Sequence, residues 1–266
     1  MRNLVIGDLH GHYTYFMSLL TKLKLQSDDV VYLVGDILDR APSPEEQRDL
    51  INWCMENITQ TGQFRMVLGN HEYTAMSKIL YAQAITFGED ESVMDALLSN
   101  DNNYFLFNFT KDMNIDWDAF AKFVKDLPVF YKVNACDETY IIAHSWVYDN
   151  EGGIVDKIAR GSSYTVNTGK SVTDRKNYIT QPESCIVIHG HYPTTMLEFY
   201  KLFNPGQYPI GLRVGNNICV DTCCFAGRDK GNLTAYCIEE DRFYYLWDNN
   251  NTQESFEGKV RLFGGM

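Results

Sequence analysis

No stretch of these 266 residues approaches the roughly 20 consecutive apolar side chains that a membrane-spanning helix requires. Basic residues are also scarce: 23 Lys and Arg stand against 35 Asp and Glu, a formal net charge of −12. That balance argues against a nucleic-acid partner, which needs a basic face. It also means that an anionic ligand meets a like-charged body unless something local and positive draws it in. The seven cysteines (Cys54, Cys136, Cys185, Cys219, Cys223, Cys224 and Cys237) include no pair at Cys-x-x-Cys spacing. An odd count without that spacing excludes a disulfide framework and a thiolate zinc site. Cys185, Cys219 and Cys237 fall in β-like runs and read as reduced, buried thiols. The apolar run Leu4-Val5-Ile6 comes almost at once, without a signal-peptide pattern, and no repeat, low-complexity tract or linker follows. The expectation is a cytoplasmic protein with a single domain over residues 1–266.

What the sequence does have is apolar runs that end in chemically loaded loops. Val30-Val31-Tyr32-Leu33-Val34 leads into Gly35-Asp36-Ile37-Leu38-Asp39-Arg40, which places two carboxylates and a guanidinium at the end of a buried strand. Leu4-Val5-Ile6 likewise ends in Gly7-Asp8-Leu9-His10-Gly11-His12, and Arg65-Met66-Val67-Leu68 ends in Gly69-Asn70-His71-Glu72. Between them, Phe16, Leu19, Leu20 and Leu23 recur at helical spacing, and Leu50, Ile51, Cys54, Met55 and Ile58 form the inner face of a second helix. Ser43-Pro44-Glu45-Glu46 starts that helix, with Ser43 as N-cap and Glu46 closing a capping box. Strand and helix alternating at about 30 residues per unit predict a βαβαβ start with parallel strands.

Residues 73 to about 115 break this rhythm and read as a helical insertion over the site, involved in substrate choice. Asp116 then caps a helix carrying Trp117, Phe120, Val124 and Leu127, stopped by Pro128. Strands are expected over 129–133 and 139–143, the second running into His144-Ser145. Residues 149–182 read as a long polar loop, and the run 185–188 as a buried strand ending in His189-Gly190-His191. Gly169-Lys170-Ser171 is a loop lysine and not a P-loop, because Tyr164 stands where the earlier glycine would be needed. Strands over 218–221, 233–238 and 243–247, with a turn at Glu239-Glu240-Asp241-Arg242, are assigned to a second sheet packed on the first.

All six histidines (His10, His12, His71, His144, His189 and His191) lie in these strand-end loops. Loops that follow the strands of an open α/β sheet converge at its carboxyl edge, so the histidines mark one site. Carboxylates, imidazoles and an amide oxygen suit borderline-to-hard divalent ions, Mn first and otherwise Fe or Zn. Six such ligands are too many for one tetrahedral ion. They fit two ions about 3.5–4 Å apart sharing a carboxylate, the arrangement that turns water on a phosphoester. His71, next to Asn70, is the candidate general acid, Asp39 its partner, and Arg40 the residue that orients the phosphate. His12 and His189 stay outside the ligand set.

Gly7-Asp8-Leu9-His10-Gly11, Gly35-Asp36-Ile37-Leu38-Asp39-Arg40 and Gly69-Asn70-His71-Glu72 resemble the signature blocks of the calcineurin-like metallophosphoesterases. Within that superfamily the likeness is to PPP-type serine/threonine protein phosphatases of the bacterial and phage branch. Leu127-Pro128, His189-Gly190-His191-Tyr192-Pro193-Thr194, Val220-Asp221-Thr222 and Gly231-Asn232-Leu233-Thr234 extend it to about residue 234. The resemblance implies an α/β fold of two packed mixed sheets flanked by helices, a four-layer sandwich. It implies metal ligands at Asp8, His10, Asp36, Asn70, His144 and His191, with Asp36 bridging. It also implies His71 as acid, Asp39 as its partner and Arg40 on the phosphate.

The activity implied is hydrolysis of phosphomonoesters by metal-activated water, on phosphoserine, phosphothreonine or phosphotyrosine in proteins. The alternative is a nucleotide-directed enzyme, such as a dinucleoside tetraphosphate hydrolase or a nucleic-acid-end phosphatase. A non-catalytic module is disfavoured because both the ligands and the acid pair are present. Three positions depart from the protein-phosphatase pattern. Leu68 replaces the usual Arg before Gly-Asn-His-Glu and is similar to the tetraphosphate hydrolases, which for their part usually lack the acid found here at Asp39. Ser145-Trp146 replaces a nearby Gly, and Thr222-Cys223 replaces Thr-Gly. A further phosphate-binding Arg is expected at Arg160 or Arg175.

Overall fold

The computed structural model describes residues 1–76, 115–145, 185–194 and 210–247. Strands β1 (Asn3–Ile6), β2 (Val30–Leu33) and β3 (Phe64–Met66) run parallel, Leu4 opposite Val31 and Leu33 opposite Met66. Helices α1 (Tyr13–Leu23) and α2 (Pro44–Asn57) make the two crossovers. α3 (Trp117–Lys125) leads into the hairpin of β4 (Phe130–Ala135) and β5 (Glu138–Ala143), whose turn holds Cys136 and Asp137 at positive φ. β6 (Ile186–His189) pairs parallel with β5 and with β8 (Asn217–Cys219), and β7 (Leu212–Val214) closes that edge antiparallel. β9 (Thr234–Cys237) and β10 (Arg242–Tyr245) complete the set.

The two mixed sheets are five-stranded, ordered β10-β9-β1-β2-β3 and β4-β5-β6-β8-β7. Alternation along each strand decides what faces what. Leu4 and Ile6 of β1, with Ala235 and Cys237 of β9, pack under Phe16, Leu19, Leu50, Ile51, Phe120 and Val124 from the helices. Val5, Tyr32 and Tyr236 point the other way and meet Tyr140, Ile142, Ile186, Ile188 and Ile218 of the second sheet. The α/β sandwich with flanking helices is therefore as expected.

Three local expectations change. β9 and β10 do not join the second sheet; β9 pairs antiparallel with β1, Val5 opposite Tyr236. The edge of β1 away from β2 is open to a partner, and the alternation of β9 suits that position on both faces. The capping box at Ser43 is half made. Ser43 Oγ accepts the Glu46 N–H at 3.3 Å, but the Glu46 carboxylate turns to α1, where it accepts the Thr14 N–H at 2.7 Å and bonds the Thr14 hydroxyl. It thus serves the first turn of a helix whose own N-cap, His12, gives no side-chain cap bond. The third change is length, since β3 stops at Met66 where a strand through Leu68 was expected. Most of the 73–115 insertion, the 149–182 loop, Arg160, Arg175 and Gly169-Lys170-Ser171 lie outside the described residues.

Candidate metal centre

The loops after β1, β2, β3, β5 and β6 meet at one end of the paired sheets. Their backbone is strained. Of the ten non-glycine residues at positive φ among the described residues, five are His10, Asp36, Asp39, Arg40 and His191. Left-handed backbone costs an L-residue roughly 1–2 kcal/mol, so tertiary contacts have to impose it. They do. The Asp36 carbonyl accepts the N–H groups of Leu9 (3.1 Å) and His10 (2.8 Å), which joins the first two loops. The buried Glu72 carboxylate accepts the N–H groups of Asp36 (2.9 Å), Ile37 (2.9 Å) and Leu38 (3.2 Å), which joins the second and third. Gly69 must be glycine for that grip: a Cβ there would stand 2.3 Å from Glu72 Oε2 and 2.4 Å from the Asp36 nitrogen.

Around Asp36, ligand atoms gather. His144 donates Nδ1–H to the Val34 carbonyl at 2.8 Å, which leaves Nε2 facing inward. That nitrogen lies 2.8 Å from Asn70 Oδ1, 3.1 Å from His191 Nδ1 and 3.3 Å from Asp36 Oδ1. On the other side, His10 donates Nδ1–H to the Leu38 carbonyl at 2.9 Å and turns Nε2 inward. Two groups, His10 with Asp36 and His71, and Asp36 with His144 and His191, each have ligand atoms within 4.8 Å of one another. Asp36 is common to both. Asp8 lies beside the second group, its two oxygens accepting the His191 N–H at 3.2 and 3.0 Å.

The electrostatics fit divalent cations. Asp8, Asp36, Glu72 and Asp221 are all buried carboxylates. Burial first, then the neighbouring Asp221 and Asp36, hold the Asp8 carboxyl well above its ordinary range. Burial likewise pushes Asp221 up to about 6 and Glu72 up to about 7. Asp36 runs the other way: burial opposes its charge, but His144, His71 and His10 hold it well below the usual range. Burial lowers His10 to about 3 and His191 to about 4, so both rings are neutral at neutral pH and offer lone pairs. Burial lowers His144, but the nearby Asp36 outweighs it and leaves that ring raised. The crowded carboxylates still outnumber the cationic groups beside them, and metal ions would supply the missing positive charge. The residues present fit that role.

His71 sits at the rim of this cluster. Its Nδ1 is 2.5 Å from Asp39 Oδ2 and its Nε2 is 3.6 Å from Asp36 Oδ2. Burial lowers the His71 pKa, but Asp36 and then Asp39 outweigh it and leave the ring raised above its ordinary value. Arg40 is the exposed member. Its Nη1 lies 2.8 Å from His10 Nε2, and its guanidinium stacks 4.4 Å above the Phe225 ring. All nine expected residues therefore fall in one cluster. Three contributors were not expected: Glu72, whose place directly after His71 hides a role in gripping backbone, Phe225 against Arg40 and His10, and Asp221. Asp221 follows β8 as Asp8 and Asp36 follow their strands, so the same strand-end rule reaches it.

A family model described as calcineurin-like phosphoesterase matches residues 1–226. The chain belongs to that family. A symmetrical bis(5'-nucleosyl)-tetraphosphatase of Buchnera aphidicola subsp. Baizongia pistaciae is 33% identical over 109 residues, 40% of this phosphoesterase and 36% of the relative. Serine/threonine-protein phosphatase 2 of Salmonella typhimurium is 27% identical over 150 residues, 53% of this chain and 56% of its own. The matched part thus spans about a third of the tetraphosphatase. A crystal structure assigned as a diadenosine tetraphosphatase covers 93% of this chain and 95% of its own with a TM-score of 0.57 at 17% identity, a likeness of fold alone.

Proposed function

We propose that this calcineurin-like phosphoesterase hydrolyses a phosphate bond of a nucleotide, with dinucleoside polyphosphates as the leading class. One observation carries the choice. Leu68, where the protein-phosphatase pattern has an arginine, is 8% exposed and packs into the helix-side core. A buried leucine offers a phosphoprotein no second guanidinium. The partial identity to symmetrical tetraphosphatases supports the same reading.

Asp8, His10, Asp36, Asn70, His144 and His191 would hold two divalent ions, Mn by donor type, with Asp36 shared; bound there, such ions supply a more acidic water and screen phosphoryl charge. Arg40, at the exposed edge, orients the phosphate. As the oxygen of water bonds to phosphorus and water gives up a proton to solvent, the P–O bond to the leaving group breaks; the leaving oxygen takes the electron pair and a proton from His71 Nε2. Asp39 steadies the ring through Nδ1 and stabilises its charged form.

The His71–Asp39 pair favours a second reading. A nucleoside phosphate leaves as a weak base, whereas a serine alkoxide needs a proton as it departs. The buried, aligned pair therefore supports action on phosphoserine or phosphothreonine. Protein reconstituted with Mn and offered diadenosine tetraphosphate and a phosphoserine peptide separates the two. ADP as product is expected, and phosphate release from the peptide with the dinucleotide intact would overturn the first reading.

A further inference from the structure

Helix α2 sends one polar side chain into the site from a face that is otherwise apolar. Gln47 shares the buried side of α2 with Leu50, Ile51 and Cys54 and is 2% exposed. A primary amide buried there needs an acceptor and a donor opposite it. Gln47 finds both in the loop after β2: Oε1 accepts the Asp39 N–H at 2.8 Å, and Nε2 donates to the Ile37 carbonyl at 3.1 Å. These partners fix which end of the amide is which. The Ile37 carbonyl also accepts the Gly11 N–H at 2.8 Å, so the amide is tied to the first ligand loop as well. The backbone it grips is the strained part, with Asp39 at φ 66° and Arg40 at φ 61°.

We propose that Gln47 is a positioning residue: by holding the Asp39 backbone left-handed, it sets the carboxylate on His71 Nδ1 and so controls proton delivery to the leaving oxygen. The inference rests on His71 as proton donor and is indifferent to which phosphoester is the substrate. Asp39 is the first of two consecutive left-handed residues, a pairing that local preference alone does not hold in place. The carboxylate–imidazole contact of 2.5 Å depends on a backbone that Gln47 pins from outside the ligand loops.

The test compares wild type, Gln47→Leu, Asp39→Asn and the double variant on phenyl phosphate and p-nitrophenyl phosphate, after metal content has been measured. Leucine keeps most of the volume and removes both hydrogen bonds. Metal content should hold, and kcat should fall about tenfold more for phenyl phosphate, the poorer leaving group, than for p-nitrophenyl phosphate. KM should move little, and the double variant should be no slower than Asp39→Asn alone. Independently of turnover, the Asp39 amide should exchange faster with solvent in Gln47→Leu, read by NMR. Equal losses on both substrates, or losses that multiply in the double variant, would overturn the proposal. If Asp39→Asn itself treats both substrates alike, the proton-donor reading falls and takes this one with it. Gln47→Glu keeps an acceptor for the Asp39 N–H and should lie between wild type and Gln47→Leu. It carries the same comparison if the leucine variant does not fold.

Discussion

His71 shows what a single residue must reconcile. Its N–H bonds Asp36 Oδ1 at 3.1 Å, its Nδ1 meets Asp39, and its Nε2 lies 3.6 Å from Asp36 Oδ2. The ring is thus anchored through Nδ1. His71→Asn should leave metal content intact and cost about 100- to 10,000-fold in kcat, the usual range for a lost general acid. The deficit should narrow as the leaving group improves, which a series of substituted phenyl phosphates measures. A uniform deficit would remove His71 from proton transfer. As a candidate the residue was legible in the sequence, because it stands directly after the ligand-type Asn70 in a strand-end loop. The duty of Glu72 was not, because three backbone N–H groups make no pattern in side-chain identities.

At the level of elements, the sequence predicted strands and helices well wherever apolar spacing and caps agreed. Asp116 accepts the Ala119 N–H at 2.9 Å, as an N-cap should. Sheet membership was less legible, since β9 is buried on both faces and would suit either sheet, and only the open edge of β1 selects its place. A side chain that joins three elements makes the point testable. Arg2, ahead of β1, reaches the Leu23 carbonyl at the end of α1 and forks onto Asp29 ahead of β2. The Arg2 guanidinium, working against burial, brings the Asp29 carboxyl down to about 2 from an ordinary 3.8. Each pKa unit corresponds to 1.36 kcal/mol, so Asp29→Asn should cost about 2 kcal/mol at neutral pH. Because the folded value lies below the unfolded one, that contribution is complete well above pH 4 and drains away as pH falls towards 2. Urea unfolding at pH 7 and pH 3 should show the difference between wild type and variant shrinking by about half. An unchanged difference would assign the cost to packing.

Across the whole molecule, negative charge is the dominant electrostatic fact. The chain carries a formal −12, and five carboxylates, Asp8, Asp36, Asp39, Glu72 and Asp221, are buried at one site. A ligand that binds only the folded state at 100 times its Kd adds about 2.7 kcal/mol of stability. For a chain of this size that amounts to a rise of roughly 5–10 °C in Tm. Titrating Mn into chelator-treated protein should produce such a rise in calorimetry, and Asp36→Asn should abolish it. A rise of the same size in the variant would mean that the cation stabilises from elsewhere. Among the described residues no helix is long and apolar enough to cross a bilayer.

The pairing of β9 with β1 also sets the order of events at the ribosome. Asn3 bonds the carboxylate of Glu239 through both its backbone N–H and its side-chain amide, across 236 positions of chain. Until residues 234–237 are made, β1 therefore keeps one naked edge, exposed to chaperones and to neighbouring nascent chains. That edge is closed only when β9 emerges. A polypeptide halted before residue 234 should for that reason be found in the aggregate and not in the supernatant.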